Sequence, residues 1–489
     1  MTHTKMNKLA RLARSAGTFR GLARTAGLAA LIVACSTEQI LDVEDIDVAR
    51  PESITGAGAL PSVLAGSFGN FGVMYDGASQ DVDQVSISGL ISDEYINTET
   101  FPTRIEIDQR VQQYQTNGSL RDAFYAAQQA RSNADFAAEG YAKFAATDPG
   151  FAQALNTSAL TLILLAENYC GAVPLSRETA PGVFEYGPSL TTKQLLDKAI
   201  QKADSALQIV AGATSGNAQT QLRVARIVKA RALLDENDPV NAAAAIGGTA
   251  GVPSNFQWIY VHSATTTRQN NGQWQLVQNS GRYGEANNEG VNGFPYQSDG
   301  LITGAVKDPR VPDQLRPTNG GKGFDGTTTM YWQLKYPARE SSIVIADGVE
   351  ARLIEAEAAL RQGNYAGMLT ILQALNSDAT VRTARGYTAA PPAPVAVVGQ
   401  TAQENQLFKE RAYWLYLTAH RLGDMRRLAR PTTAPAGELT GYGRAIESVF
   451  PTGAYHKGGN YGTDTNTPIP QQEENNPNFT RSQCDTKKP

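Results

Sequence analysis

Long stretches of this chain repeat apolar residues at three- and four-residue steps, with alanine as the commonest small residue, and that period dictates a helical scaffold. Residues 121–144 place Phe124, Ala127, Ala134, Ala138 and Tyr141 on one recurring face, and residues 151–169 carry Leu155, Leu160, Leu162, Leu165 and Ala166. Both segments are predicted to be amphipathic helices. Thr191-Thr192-Lys193-Gln194 has the form of a capping box, ahead of a stripe made by Leu195, Ala199, Ala203, Ala206 and Val210. Residues 219–234 repeat the pattern with Leu222, Ala225, Ile227, Ala230 and Leu233. With the Gly-, Ser- and Asn-containing link at 211–217, these two helices make a hairpin of about 35–40 residues.

A second pair, 349–361 and 365–375, is divided by Gln362-Gly363-Asn364, and 403–429 predicts one long helix ending before Pro431. Repeated Ala-rich hairpins of this length predict an all-α, tetratricopeptide-like helical-hairpin superhelix, although the strict repeat signature is missing. Small alanine side chains let helices approach closely, so the composition needs no ligand to explain it. The expected scaffold covers about 120–250 and 345–430 within one domain spanning 51–489, with an irregular C-terminal segment at 431–489.

Between the helical halves, residues 251–340 form a loop-rich insert of different chemistry. Residues 251–300 hold only Arg268, Arg282, Glu285, Glu289 and Asp299 as charged groups, yet seven aromatics: Phe256, Trp258, Tyr260, Trp274, Tyr283, Phe294 and Tyr296. They are interleaved with Asn, Gln, Ser, Thr and Gly, and Trp332 follows closely. Flat aromatic faces beside neutral amides suit a polyhydroxylated ligand, whose ring C–H groups pack on the aromatic plane while amides bond the hydroxyls. Trp258, Trp274, Tyr283, Tyr296 and Trp332 are therefore the candidate ligand-binding residues. The competing reading is a satellite core beneath long loops.

The first 34 residues read as an address. Lys5, Lys8, Arg11, Arg14, Arg20 and Arg24 precede the short apolar run from Leu28 to Ala34, the layout of a signal peptide. Ile32-Val33-Ala34-Cys35 resembles a bacterial lipobox, so Cys35 is the expected lipidation site and the lipid is the expected contact with membrane. Removing the leader takes six of the 43 basic residues and none of the 47 acidic ones, leaving a mature chain more acidic than the formal net charge of −4. That balance disfavours nucleic acid as a partner. The acidic stretch 35–50, which contains Leu41-Asp42-Val43-Glu44-Asp45-Ile46-Asp47, reads as a solvated tether.

Catalytic and metal signatures are absent from the sequence. The four histidines, His3, His262, His420 and His456, share no ligand-like spacing with the three cysteines, so no metal and no cofactor is expected. No Gly-x-Ser-x-Gly or phosphate loop occurs. Glu355 and Glu357 diverge on a helix and make a poor acid/base pair for glycoside cleavage. Glu350, Arg352, Glu355 and Glu357, and likewise Arg421, Asp424 and Arg427, are spaced for salt bridges within or between helices. Once Cys35 is acylated, Cys170 and Cys484 are the remaining thiols: they pair and tie the tail to the core, or Cys170 is a buried free thiol and the tail frays.

Several motifs stand in a defined order along nearly the whole chain. They are Leu165-Ala166-Glu167-Asn168-Tyr169-Cys170-Gly171 with Pro174-Leu175-Ser176, Asp308-Pro309-Arg310-Val311-Pro312, and Val349-Glu350-Ala351-Arg352-Leu353-Ile354-Glu355-Ala356-Glu357-Ala358. Glu410-Arg411 through Arg421-Leu422-Gly423-Asp424-Met425-Arg426-Arg427-Leu428 follows, then Pro468-Ile469-Pro470-Gln471-Gln472-Glu473 and Asn475-Asn476-Pro477-Asn478. Together they resemble the RagB/SusD family of nutrient-uptake outer-membrane lipoproteins. The resemblance implies a single α-superhelical domain acting as a lid on a TonB-dependent outer-membrane transporter, capturing a glycan or other nutrient. It also implies that acidic residues behind the lipidated cysteine direct the protein to the outer face of the outer membrane. Because the family places binding groups in an earlier region too, Tyr75, Tyr95 and Phe101 join the candidates. His420 stands where the family commonly has Gly, and the insert does not align, so the identity of the nutrient does not transfer.

The expected function is therefore a non-catalytic binding lipoprotein that delivers a nutrient, with glycan favoured. The alternatives are an all-α glycan-active hydrolase or lyase, and a helical-repeat scaffold for envelope assembly.

Overall fold

Helix starts in this chain are written with proline and aspartate, and the structure uses them as such. A computed structural model describes residues 56–77, 82–180, 182–300 and 308–489. The leader 1–34, the lipidation site Cys35 and the tether 35–50 lie outside the described residues. Ile54–Pro489 pack as one compact unit. Helices α1 (Leu60–Asp76) and α2 (Gln84–Ile91), strand β1 (Tyr95–Asn97) and helix α3 (Pro102–Gln109) lead to the first long pair, α4 (Gly118–Phe144) and α5 (Pro149–Asn168). The turn into α5 is held by the Asp148 carboxylate, which accepts the Gly150 N–H at 2.7 Å, with Pro149 at a position where its missing N–H costs nothing.

The next helices are α6 (Thr192–Ile209), α7 (Gly216–Asp235) and α8 (Pro239–Ile246), each packing on the one before. The capping box closes: Gln194 N–H donates to Thr191 Oγ1 at 3.2 Å, and Thr191 N–H donates to Gln194 Oε1 at 2.8 Å. The alanine stripe, with Ala199, Ala203 and Ala206, is fully buried against its neighbours. By length and composition α5 could cross a bilayer, but most of it is enclosed by other helices, as a core helix is.

The insert is tied into the fold by short antiparallel pairs. β2 (Gln257–Tyr260) pairs with β6 (Ile343–Asp347), β3 (Tyr283–Glu285) with β1, and β4 (Asp313–Leu315) with β5 (Tyr331–Gln333). Two of these pairs join segments far apart in sequence, so the insert contributes to the main core.

Beyond β6 come α9 (Gly348–Arg361), α10 (Tyr365–Ser377), α11 (Ala379–Arg385), α12 (Gln400–Trp414) and α13 (Arg421–Ala429). The single helix expected over 403–429 is thus two helices. Leu417 and Ala419 sit at φ 49° and 59°, in the left-handed region that ends a right-handed helix. Tertiary partners take the backbone groups released there. Leu417 N–H donates to Glu94 Oε1 at 2.9 Å, while the Leu417 and Thr418 carbonyls accept from the Tyr336 and Tyr75 hydroxyls at 3.0 and 2.9 Å.

The charged motif residues make buried ion pairs within and between elements. Arg411 grips Asp424 at 2.7 and 2.8 Å, Arg427 reaches Asp424 at 2.6 Å and also Glu357, and Arg421 holds Asp93 at 2.6 and 3.0 Å. Arg310 is shared by Asp308 and Glu410. His420 is buried, with Nε2 3.2 Å from Glu350, and burial foremost, with the Arg231 charge second, lowers its pKa. The tail returns to the core, where Thr467 N–H donates to the Asn168 carbonyl at 2.8 Å and Cys170 is joined to Cys484 in a disulfide.

Candidate functional site

Phe101, Phe324 and Arg282 meet at the surface although they come from three parts of the chain. Phe101 is the residue before α3, and Pro102 behind it starts that helix. Phe324 lies in the Gly-rich turn Asn319-Gly320-Gly321-Lys322-Gly323-Phe324-Asp325-Gly326 between β4 and β5. The Arg282 guanidinium lies 5.0 Å from the Phe101 ring centroid and 4.8 Å from that of Phe324, and Arg104 is 5.3 Å from Phe101. Both arginines are held from below by the fully buried Glu99 carboxylate, at 2.6 Å from Arg282 and 3.3 Å from Arg104. The two rings remain 47% and 52% exposed. A guanidinium therefore backs each ring while apolar area stays open to solvent.

The turn that carries Phe324 is fastened to β1 and its neighbours. Asp325 N–H donates to the Thr98 carbonyl at 2.9 Å, and Phe324 N–H and Thr98 Oγ1 both donate to the Gly281 carbonyl, at 2.8 and 2.9 Å. Gly323 is required at this junction, since a Cβ there would stand 2.3 Å from Thr98 Cβ. Asp325 closes the turn by accepting from Thr327 N–H at 2.9 Å and from Thr328 N–H at 2.8 Å. Lys457 pairs with Asp325 and donates to the Glu99 carbonyl at 3.0 Å. Burial opposes ionisation of Asp325, but the hydrogen bonds from Lys457 and Thr328 outweigh it and hold the carboxyl well below the usual range. The patch is two open aromatic faces edged by a charged pair and threonine hydroxyls.

Most aromatics singled out from the sequence lie elsewhere. Tyr283, Tyr296 and Tyr95 are fully enclosed, Tyr75 is 1% exposed and Trp258 8%. These five are core residues and present no stacking face. Tyr95 and Tyr283 face each other across the β1–β3 pair at 5.8 Å, Tyr296 packs on Tyr413 and Tyr416 at 5.3 and 5.0 Å, and Trp258 stacks on Phe68 at 5.3 Å. Tyr75 and Tyr95 spend their hydroxyls on Thr418 O and Gln273 Oε1. The reason is topological: strand pairing turns Tyr95, Tyr283 and Trp258 into the interior, while Tyr75 and Tyr296 lie buried in helical segments. Trp274 and Trp332 are half-buried, the first beneath the Arg339 guanidinium at 5.2 Å and the second packed on the core with its indole N–H unpartnered. Phe101 alone of the candidates is well exposed. Phe324 escaped the sequence reading, yet it had a signal: a phenylalanine among glycines has no apolar neighbours in sequence with which to form a core.

A cavity of about 590 Å³ is lined by Lys335, Tyr336, Arg385 and Tyr387 among others. Burial foremost, and Arg385 beside it, push the Lys335 ammonium down to about 7. Lys335 donates to the Tyr416 carbonyl and Arg385 pairs with Asp347, while Arg385 Nε is buried without a hydrogen-bond partner.

No protein-family model and no curated protein matches this sequence. Solved structures do match. A SusD superfamily protein from Bacteroides fragilis superposes with a TM-score of 0.60 at 16% identity, over 87% of this chain and 99% of that one. Surface glycan-binding protein A from Bacteroides uniformis gives 0.59 at 14% identity, over 87% and 99%. A SusD-like carbohydrate binding protein from Bacteroides vulgatus gives 0.56 at 14%, over 87% and 97%. At such identities the shared property is the arrangement of the chain: this protein has the helical fold of these SusD-like structures.

Proposed function

We propose that this chain is a non-catalytic, lipid-anchored protein of the outer cell surface that binds a neutral glycan and passes it to a TonB-dependent outer-membrane transporter. The observation that carries the reading is the Phe101–Phe324 pair, two exposed rings backed by Arg282. Phenyl faces gain by covering the C–H faces of a sugar ring, while Asp325, Lys457 and the neighbouring threonines offer hydrogen bonds to hydroxyls. Two of the structures that share this fold carry glycan or carbohydrate binding in their names, which favours the same ligand class. The half-exposed Trp274 and Trp332 are secondary candidates. Cys35 would carry the anchor.

A glycan array followed by calorimetry on the soluble chain beginning after Cys35 tests the reading. Phe101→Ala or Phe324→Ala should each weaken binding of the selected glycan by about 1–3 kcal/mol, the worth of burying such a side chain. Neither should shift folding stability by more than about 0.5 kcal/mol. Tyr283→Ala should do the reverse and cost about 3–5 kcal/mol of stability, because it empties a core site. Unchanged affinity in both phenylalanine variants would sink the patch, and appearance of shortened oligosaccharide would make the protein an enzyme. Delivery requires a broad contact, on the order of 1,600 Å² for a stable interface. Outer-membrane copurification should accordingly recover a TonB-dependent barrel.

A further inference from the structure

Asp108 at the end of α3, Glu289 in the insert and His456 in the C-terminal segment offer ligand atoms that all lie within 4.8 Å of one another. His456 Nδ1 is 4.0 Å from Asp108 Oδ2 and 3.9 Å from Glu289 Oε1. The other ring nitrogen, Nε2, is 2.8 Å from the Asn97 carbonyl oxygen. A carbonyl only accepts, so Nε2 donates to it, and Nδ1 is the ring nitrogen that faces the two carboxylates. Three potential ligand atoms thus converge from three segments of the chain.

The carboxylates are deeply placed, with 1% of the Asp108 side chain and 8% of that of Glu289 exposed. Asp108 Oδ2 accepts from Asn97 N–H at 2.8 Å and from the Tyr455 hydroxyl at 2.7 Å, whereas its buried Oδ1 has no hydrogen-bond partner. The Tyr461 hydroxyl donates to Glu289 Oε1.

We propose that Asp108, Glu289 and His456 form a site for a divalent first-row transition cation of the zinc class. One imidazole and two carboxylates are a donor set that zinc accepts, with ligand bonds of about 2.0–2.2 Å. Around such an ion the ligand atoms stand roughly 3.4 Å apart in a tetrahedron, so the three groups, now within 4.8 Å of one another, would draw together on binding it. Asn97 O, Tyr455 and Tyr461 supply the outer hydrogen bonds that orient the ligands. Three protein ligands leave a position for water. The ion would fasten α3, the insert and the segment carrying Lys457 to one another beside the Phe101–Phe324 patch, and the assignment does not depend on what that patch binds.

The test uses the full soluble chain, stripped with chelator, loaded with zinc chloride, desalted and assayed by plasma mass spectrometry and thermal melting. Wild type should retain a single equivalent of zinc and melt higher with zinc than without it. His456→Ala and Glu289→Gln should lose both effects, and Tyr461→Phe should weaken zinc by about 10- to 100-fold, as removal of an outer-shell partner does. Far-UV dichroism checks folding, with His456→Gln replacing an Ala variant that unfolds. Absence of retained zinc, equal retention by the His456 variants, or a melting rise with calcium chloride and none with zinc would each overturn the assignment.

Discussion

Glu94 shows how one side chain couples the helix break to pH. Its Oε1 accepts the Leu417 N–H at 2.9 Å and its Oε2 is buried without a partner. Burial foremost, opposed by that hydrogen bond and aided by the Asp93 charge, raises the carboxyl from 4.5 to about 8. Between those values the folded chain keeps a proton that the unfolded chain has released. The contribution to stability is therefore complete below pH 4.5 and is lost as pH rises toward about 8, at up to about 1.4 kcal/mol per pH unit. Glu94→Gln cannot titrate, so its melting temperature should fall less between about pH 5 and 8 than that of wild type. A constant difference between the two melting profiles would show that Glu94 is ionised throughout. The aromatic residues give the complementary lesson: Tyr283 and Phe101 are similar in size and apolar content, yet one is enclosed and the other about half exposed.

Among elements, the C-terminal segment depends most on distant partners. It has little regular structure, and it is held by the Thr467–Asn168 backbone contact, by Arg481 over the Tyr114 ring at 4.2 Å, and by Cys170–Cys484 across 314 residues of sequence. A cross-link closing so long a loop removes much freedom from the unfolded chain. Cys484→Ser should cost about 2–5 kcal/mol and loosen the tail before the helices melt, read by thermal unfolding and by hydrogen exchange over 463–489. An intact mass with two alkylated thiols in unreduced wild type would contradict the pairing. The helices were far easier to read, because the capping box at Thr191 and the alanine stripe of α6 are contained within their own segments. The 403–429 region misled because its period continues through 415–420, where side chains from α1 and the insert capture the backbone.

At the scale of the whole molecule, the proposed anchor can be tested separately from the folded body. Cys35 precedes the compact unit that begins at Ile54, so Cys35→Ser should leave the melting temperature of the body unchanged while moving the protein from the detergent phase to the aqueous phase. Retention of a Cys35→Ser chain freed of its leader in the detergent phase would contradict lipidation.

Sequence alone determined what short-range physics controls: the helical period, the caps, the hairpin lengths and the exclusion of familiar catalytic motifs. It also placed an aromatic-rich, charge-poor region between the helical halves. Only the tertiary structure decided which rings face solvent, because burial depends on neighbours hundreds of residues away. β1 and β3 turn Tyr95 and Tyr283 inward, while the Thr98 and Gly281 contacts set Phe324 outward beside Phe101. The same holds for Asp108, Glu289 and His456, whose spacing along the chain carries no ligand pattern and which meet only when three distant segments pack together.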